Sequence, residues 1–336
     1  MSPTIRDVAK LAGVSVASVS RVLNSKGYVS SETKEKIEEA IKLLGFEPNQ
    51  VARSLTVKKT KTIALFVPDI TNPFFATLAK GVEDLANSKG FTLNLCNYGE
   101  PSEKKNSHVD LLKQKYVDGI IFAAGVLDPM DALKIKSSKI PLVVLDRIPD
   151  METECVILVD NYEGAKKAVE HLQDIGCKKI AHIYGPQEIS TARERLLAYE
   201  EAVKNSPYFT PSLIAPGDFT IEGGSRATNI LLDRNPDLDA IFAGNDMMAI
   251  GALKALQRRG VKVPEQVAVC GFDGISLTEV TNPELTTVAQ PTYEIGNLAA
   301  ETLINYITDT YFHESIIKLN TSLVIRDSTK KFGVKG

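Results

Sequence analysis

Apolar residues recur at helical spacing at the start of the chain. Thr4 is a favourable N-cap residue, and Gly13 is expected to end the helix that follows it. Four apolar residues between them stand at i, i+3, i+4 and i+7, which predicts one apolar face: Ile5, Val8, Ala9 and Ala12. The pattern therefore predicts a short amphipathic helix followed by a tight turn.

A second short helix is predicted directly after this turn, with Ser15 as its N-cap. Its apolar residues fall on one side: Val19, Val22 and Leu23. The other side carries Arg21 among small side chains: Val16, Ala17 and Ser20. Small side chains around one arginine let a helix approach the base edges of a DNA major groove, which is the arrangement of a helix-turn-helix. An ordinary helical hairpin is the alternative for this stretch alone.

A third helix, capped by Ser30 and ended by Gly45, completes a small all-α headpiece over residues 1–47. Residues 48–61 follow as a hinge and linker. A helix of barely two turns beginning at Asn49 is too short to be stable alone. We expect it to fold when DNA and a second subunit hold it, with Leu55 as an apolar wedge in the minor groove. A basic linker without structure is the alternative.

From residue 62 the pattern changes to apolar runs of strand length that alternate with helical segments, one of them at 102–115. This alternation is typical of doubly wound parallel sheets, and it occurs in two successive units. We therefore predict a bilobed α/β core over residues 62–336. The N-terminal lobe is expected at about 62–160 plus 290–320, and the C-terminal lobe at about 161–289 plus 321–336.

Polar or aromatic residues stand directly after seven strands of this predicted core. Ligands of doubly wound sheets bind beyond the carboxyl ends of the strands, so we expect these residues to line one site. Rings that cover the C–H faces of a sugar, together with paired donors and acceptors for its hydroxyls, describe a carbohydrate pocket. The segments are 68–75, 146–147, 190–195, 219, 245–246, 272–273 and 290.

Charge and composition narrow the class of protein. The 336 residues carry a net charge of −3. Residues 1–61 hold 11 Lys and Arg against 6 Asp and Glu, a net charge of +5, which leaves −8 for the core. A basic headpiece and hinge before an acidic core is typical of a local DNA-binding module. The four cysteines have no metal-ligand spacing, and no GxSxG, P-loop or GxGxxG motif occurs. We therefore expect no enzyme, metal or cofactor. Without a signal peptide or a transmembrane run, a cytoplasmic location is expected.

The stretches TIRDVAKLAGVS, VSRVLN and PNQVARSL resemble the headpiece and hinge of the lac repressor family. The two-lobed remainder resembles periplasmic sugar-binding proteins. The resemblance implies that Val16, Ala17 and Arg21 read bases, the arginine by bidentate contact with a guanine. Phosphate contacts from Ser15, Ser18 and Ser20 position the helix. The expected DNA-contacting residues are Thr4, Ser15, Val16, Ala17, Ser18, Ser20, Arg21, Asn24, Asn49, Ala52 and Leu55.

Seven short motifs of the core are similar to those of ribose-binding proteins and of ribose-responsive members of the same family. They are NPFF at 72–75, LDR at 145–147, ARER at 192–195, DF at 218–219, ND at 245–246, GFDG at 271–274 and AQ at 289–290. The implied sugar contacts are Asn72, Phe74, Phe75, Asp146, Arg147, Arg193, Phe219, Asn245, Asp273 and Gln290. The chain departs from the pattern at Val159, where the ribose binders carry a polar pocket residue.

The resulting hypothesis is a transcriptional repressor of a ribose operon, released from a palindromic operator when D-ribose binds between the lobes. Its expected partners are double-stranded operator DNA, the sugar and a second copy of the chain in a homodimer, with no membrane. The alternatives are family members controlled by another sugar, by a purine, or by a phosphocarrier protein as co-regulator. The headpiece argues against a free sugar-binding transport component.

Overall fold

A computed structural model of the chain describes residues 3–23, 27–46, 60–98, 117–123, 129–146, 153, 155–308 and 316–330. The chain divides into two compact units, residues 1–60 and 61–336. The predicted helix at 102–115 and nearly all of the predicted hinge at 48–61 lie outside the described residues.

The first unit contains three described helices, α1 (Ile5–Ala12), α2 (Val16–Leu23) and α3 (Ser31–Leu44). One apolar residue from each helix is fully buried where the three meet: Val8, Val19 and Ile37. Ala9, Ala40 and Phe46 complete this small core. The helical periodicity of the sequence thus becomes a three-helix bundle.

Local side-chain chemistry fixes the ends of α1 and the start of α2. The Asp7 carboxylate accepts hydrogen bonds from the N–H and the hydroxyl of Thr4, at 2.8 and 2.7 Å. These bonds lower the pKa of Asp7. Gly13 ends α1 with a φ of 64°, in the left-handed region that favours glycine. The Oγ of Ser15 then accepts the N–H of Ser18 at 3.1 Å and caps α2.

The second unit is built on two six-stranded sheets. Its described strands are β1 (Thr62–Val67), β2 (Thr92–Asn97), β3 (Gly119–Phe122), β4 (Leu142–Leu145), β5 (Cys155–Val159), β6 (Ile180–Tyr184), β7 (Ile214–Pro216), β8 (Ala240–Ala243), β9 (Ala268–Asp273), β10 (Thr286–Ala289), β11 (Ile316–Leu319) and β12 (Ser322–Val324). The N-terminal sheet has the order β11-β5-β4-β3-β1-β2 and is parallel throughout. The C-terminal sheet has the order β12-β10-β9-β8-β6-β7, in which β12 alone pairs antiparallel.

Helices cover both faces of these sheets. The described ones are α4 (Pro73–Ser88), α5 (Pro129–Ser138), α6 (Asn161–Asp174), α7 (Ser190–Val203), α8 (Ile221–Arg234), α9 (Asp246–Arg258) and α10 (Thr292–Ile307). Apolar cores fill both faces of each sheet. Helices α4 and α10 cross so closely that a Cβ on Gly81 would lie 2.2 Å from the Tyr293 carbonyl oxygen.

Within the described residues, the chain passes between the two sheets three times, from β5 to α6, from β10 to α10 and from β11 to β12. Two of these connections touch: the Asp160 N–H donates to the Leu319 carbonyl at 3.1 Å, and Lys318 forms an ion pair with Asp160 at 2.7 Å. A few residues in short connections therefore join the lobes, which is the geometry of a hinge.

The predicted fold class is confirmed: a helix-turn-helix headpiece precedes a bilobed α/β core with two doubly wound sheets. The sequence pattern did not predict helix α10. Nine of its 16 residues are buried, and these include Thr292, Gly296 and Thr302, so buried positions and apolar residues do not coincide along it.

Candidate functional site

The outer side of α2 is the candidate nucleic-acid surface of the first unit. Val19 is fully buried against the other helices, whereas Val16 is 43% exposed and Ala17 and Arg21 are also exposed. The predicted base-reading side chains therefore share one accessible face. A Cβ on Gly27 would lie 3.5 Å from Cδ of Arg21, so the stem of this arginine rests against the loop after α2.

The predicted phosphate contacts lie at the margins of this face. Ser15 is exposed and its hydroxyl lies 2.9 Å from that of Ser18. Ser18 and Ser20 are half-buried, and the hydroxyl of Thr4 is bonded to Asp7. Four further predicted DNA contacts lie outside the described residues: Asn24, Asn49, Ala52 and Leu55.

In the second unit, the predicted sugar contacts of the N-terminal lobe gather where β1 and β4 end. Asn72 caps α4, its Oδ1 accepting the Phe74 N–H at 3.0 Å. The Phe74 and Phe75 rings meet edge to face, with centroids 5.0 Å apart. Asp146 directly follows β4, and Arg147 lies outside the described residues. This lobe thus offers an aromatic pair and a carboxylate.

Asp273 and Gln290 form the centre of the C-terminal side. Asp273 ends β9 and Gln290 directly follows the neighbouring strand β10. The Gln290 Nε2 donates to Asp273 Oδ1 at 2.8 Å, and the Gln290 N–H donates to the Asp273 carbonyl at 3.0 Å. Within the part of the chain that is described, the buried Oε1 of Gln290 has no hydrogen-bond partner.

The two arginines of the ARER motif occupy different environments. Arg193 is exposed and donates to the Gln187 carbonyl at 2.6 Å. Arg195 is only 4% exposed and stacks on Phe272, with its guanidinium carbon 3.7 Å from the ring centroid. It also forms an ion pair with Asp273 at 3.4 Å. The structure therefore brings Arg195, which the sequence argument did not select, to the centre of the site.

Asn161 is a second residue of this site that the sequence argument missed. It is buried at the start of α6, and its Oδ1 accepts the Nε–H of Arg195 at 2.9 Å. Asn161 lies two residues after Val159, where the expected polar residue is missing. A search for amides just beyond the end of β5 would have found it.

Asn245 and Phe219 lie at the same end of the C-terminal sheet, and the amide of Asn245 serves the fold. Its Oδ1 accepts the Met248 N–H at 2.9 Å and caps α9, while its Nδ2 donates to the Phe219 carbonyl at 3.2 Å. The Phe219 ring packs against Gly185, which directly follows β6. A Cβ on this glycine would lie 2.3 Å from the ring.

Backbone strain concentrates in these residues. Five described non-glycine residues have a positive φ, and three of them are predicted sugar contacts: Asp146 at 67°, Phe219 at 63° and Asp273 at 117°. Such conformations cost on the order of 1–3 kcal/mol each and are retained where the surrounding structure holds them, commonly at binding sites.

The electrostatic environment is dominated by carboxylates. Burial raises the pKa of Asp273, opposed by Arg195 and Gln290 and reinforced by Asp146. Burial also raises the pKa of Glu194, and Asp146 adds to this effect. Because Asp146 belongs to the N-terminal lobe and the other two acids to the C-terminal lobe, acceptors from both sides face the same space. This arrangement suits a ligand that offers several hydroxyl donors.

A cavity of about 300 Å³ lies where the two lobes meet. Its lining includes Phe74 and Thr77 from α4, Ile275 after β9, and Gln290 with Tyr293 at the connection from β10 to α10. Within the described ranges, no cluster of His, Cys, Asp or Glu is arranged to hold a metal ion. Nor does any described helix have the length and apolar character needed to cross a membrane.

The headpiece and the two-lobed core together define a DNA-binding regulator with a ligand-binding domain. Residues 60–326 match the periplasmic binding proteins and sugar binding domain of the LacI family, and residues 4–49 match the bacterial regulatory proteins of the lacI family. The chain therefore belongs to the lacI family.

Individual relatives show the same combination. A ribose operon repressor of Halalkalibacterium halodurans is 43% identical over 97% of each chain. A LacI family regulator from Enterococcus faecium, crystallised with bound ribose, is 30% identical over 80% of this chain and 98% of its own, with a TM-score of 0.72. The lac repressor dimer bound to operator and the anti-inducer ONPF is 27% identical over 98% of this chain and 99% of its own, with a TM-score of 0.84.

These relationships confirm the predicted class of function. The chain is a DNA-binding transcriptional repressor with a sugar-binding type of core, and it is not an enzyme, since its relatives are transcriptional regulators.

Proposed function

We propose that this repressor responds to D-ribose or a closely related sugar, which binds between the lobes and releases a homodimer from a palindromic operator. The named relatives support ribose as the first candidate, because one is a ribose operon repressor and another was crystallised with ribose. The chemistry of the site supports a neutral polyhydroxyl ligand, since its described side chains are mostly acceptors around one buried arginine.

The observation that carries the proposal is the group formed by Arg195, Asp273 and Gln290. A buried acceptor without a donor costs about 1–3 kcal/mol. A sugar hydroxyl donated to Gln290 Oε1 would remove this cost, and neighbouring hydroxyls would pair with Asp273 and Arg195. We include Arg195 and Asn161 in the proposed site for this reason. The predicted contacts from Asn72, Asp146, Arg147 and Asn245 remain part of the proposal. Arg195 replaces the predicted contact from Arg193, which is exposed and bonded to Gln187.

The proposed mechanism is a shift between two lobe arrangements. A ligand held by Asp146 from one lobe and Asp273 from the other favours the closed arrangement. Closure would move the N-terminal lobes of a dimer relative to each other and separate the hinge segments 48–61, lowering operator affinity. Coupling in such switches is typically about 1–3 kcal/mol, or about 5–150-fold in affinity.

On the DNA side, we propose that Val16, Ala17 and Arg21 read base edges from the exposed face of α2. The serines at the margins, Ser15, Ser18 and Ser20, would bond phosphates. Thr4, Asn24 and Asn49 are proposed as further contacts, with Ala52 and Leu55 in the minor groove at the centre of the operator. Two headpieces in a homodimer then match the two halves of a palindrome.

The test begins with a palindromic duplex selected by the full-length protein from random DNA. Fluorescence anisotropy measures its affinity with and without millimolar D-ribose, and D-ribose 5-phosphate serves as a matched control. We expect ribose to weaken operator binding by about 5–150-fold. Unchanged affinity would overturn the effector assignment and leave DNA binding in place.

Calorimetry separates the remaining alternatives. D-ribose, guanine and hypoxanthine are titrated into the DNA-free protein, and binding of a purine in place of ribose would reassign the effector. Addition of a phosphorylated phosphocarrier protein to the operator assay tests the co-regulator. Sedimentation velocity tests the homodimer.

A further inference from the structure

Asp246, the first residue of α9, is a fully buried carboxylate next to the proposed site. Aspartate is rarely buried completely unless its charge is compensated. Within the described ranges, no lysine or arginine forms an ion pair with it. Burial and the nearby Asp273 carboxylate raise its pKa. The fold therefore retains a costly group at this position, which calls for a role.

Three hydrogen-bond donors converge on this carboxylate. Its Oδ2 accepts the N–H groups of Gly274 and Ile275 at 2.7 and 2.9 Å. Its Oδ1 accepts the hydroxyl of Thr287 at 2.6 Å. The N-terminus of α9 adds a favourable dipole. Asp246 thus ties the turn after β9 to helix α9 and to strand β10.

The turn that Asp246 holds is the one that orients Asp273. Asp273 has a φ of 117°, which is normally unfavourable for a residue other than glycine, and the following Gly274 has a φ of 76°, which glycine adopts readily. The two N–H groups bonded by Asp246 come immediately after Asp273. Their bonds offset the strain and keep the Asp273 carboxylate toward Gln290 and Arg195.

The sequence of β9 makes room for this arrangement. Gly271 stands where the Asp246 carboxylate approaches the strand, and a Cβ there would lie 2.2 Å from its Oδ1. A Cβ on Gly274 would lie 2.6 Å from the Cβ of Ala289. Both glycines of the GFDG motif therefore serve the close packing of this turn.

We propose that Asp246 is a positioning residue for the effector site: its carboxylate holds the turn at 274–275 and thereby sets Asp273 in the orientation that binds the sugar. Asp246 itself does not contact the ligand. The inference rests on the proposed function, in which Asp273 is a sugar contact.

The experiment measures D-ribose affinity by calorimetry for the full-length protein and for Asp246→Asn, Thr287→Val, Asp273→Asn and the double variant Asp246→Asn with Asp273→Asn. Asp246→Asn keeps the shape of the side chain and removes the carboxylate that accepts the three hydrogen bonds. We expect it to weaken ribose binding about tenfold or more. Thr287→Val removes one of the three donors at nearly constant shape, and we expect a smaller loss in the same direction. Operator affinity without ribose is expected to stay within about twofold, since the headpiece is a separate unit.

The double variant distinguishes positioning from general structural support. If Asp246 acts through Asp273, its substitution changes ribose affinity less than about twofold once Asp273 is already Asn. An equal loss in both backgrounds would overturn the proposal, as would wild-type ribose affinity in Asp246→Asn or, should that variant not fold, in Thr287→Val. Failure of the wild-type protein to bind ribose would instead refute the proposed function, and this inference with it.

Discussion

Arg195 and Arg193 stand two residues apart in α7, and their replacement is expected to have opposite consequences. Arg195 is 4% exposed and bonded to Asn161, to the Gly244 carbonyl at 2.6 Å and to Asp273. Removing it in Arg195→Ala leaves Asp273 buried without its cation. Breaking a buried pair in this way costs about 3–5 kcal/mol of unfolding free energy.

Arg193 provides the matched control in the same helix. It is exposed and makes one described hydrogen bond, to Gln187, so Arg193→Ala should change the unfolding free energy by less than about 0.5 kcal/mol. Urea denaturation of the core transition measures both values. Calorimetry with D-ribose then shows which arginine the ligand needs, and Arg195→Lys retains the charge if the alanine variant is unstable.

We expect ribose binding to be lost in Arg195→Lys, because one ammonium group cannot reproduce the guanidinium bonds to three partners. Arg193→Ala should retain it. The sequence motif alone predicts the reverse, that Arg193 carries the ligand contact and that its loss abolishes release from DNA. Loss of ribose binding in Arg193→Ala with full binding in Arg195→Lys would refute the structural argument.

Three further predictions concern other parts of the molecule. Arg21→Ala should weaken operator binding by about 1–3 kcal/mol in anisotropy assays and relax the preference at one base pair of each half-site, and an unchanged preference would contradict base readout by this arginine. Gly81→Ala should lower the unfolding free energy by about 1–3 kcal/mol, because its Cβ would lie 2.2 Å from the Tyr293 carbonyl oxygen; a wild-type melting temperature would show that α4 and α10 can separate at no cost. Burial lowers the pKa of His182 to about 4 from 6.5, so the stability that its neutral ring provides is complete above pH 6.5 and falls by about 3 kcal/mol as the pH drops to 4. His182→Phe should flatten the pH dependence of unfolding in that range, and the same slope in both proteins would contradict it.

The choice between the two arginines shows where reading the sequence reaches its limit. Residues two apart on an α-helix point about 200° away from each other, so only one arginine of ARER can face the site. The order of residues does not say which arginine faces the site, because that depends on the orientation of α7 about its own axis where it packs against β6 and β8. Packing decides it, with Tyr199 and Ala198 of the same helix buried and the guanidinium of Arg195 stacked on Phe272.

Amide residues show a related limit. Asn72 and Asn245 have the expected polar character at strand ends, and the structure uses the Oδ1 of each to cap the next helix. An Asn before a helix serves a cap and a ligand equally well in sequence. The role of Asn161 depends on contact with Arg195, which is 34 residues away in the chain, so its position after β5 marks it only as a polar residue at a strand end.

The sequence by itself determined the local elements and the class of protein. Capping residues such as Thr4 and Ser15 and the apolar faces of α1 to α3 specify the headpiece, because they act within a few residues of one another. The alternation of strands and helices likewise specifies two parallel sheets. Only the tertiary structure decided that α10 packs against α4 and that Asp246, Arg195 and Gln290 support Asp273. These features depend on contacts between residues distant in the chain, and no local pattern of residue types encodes them.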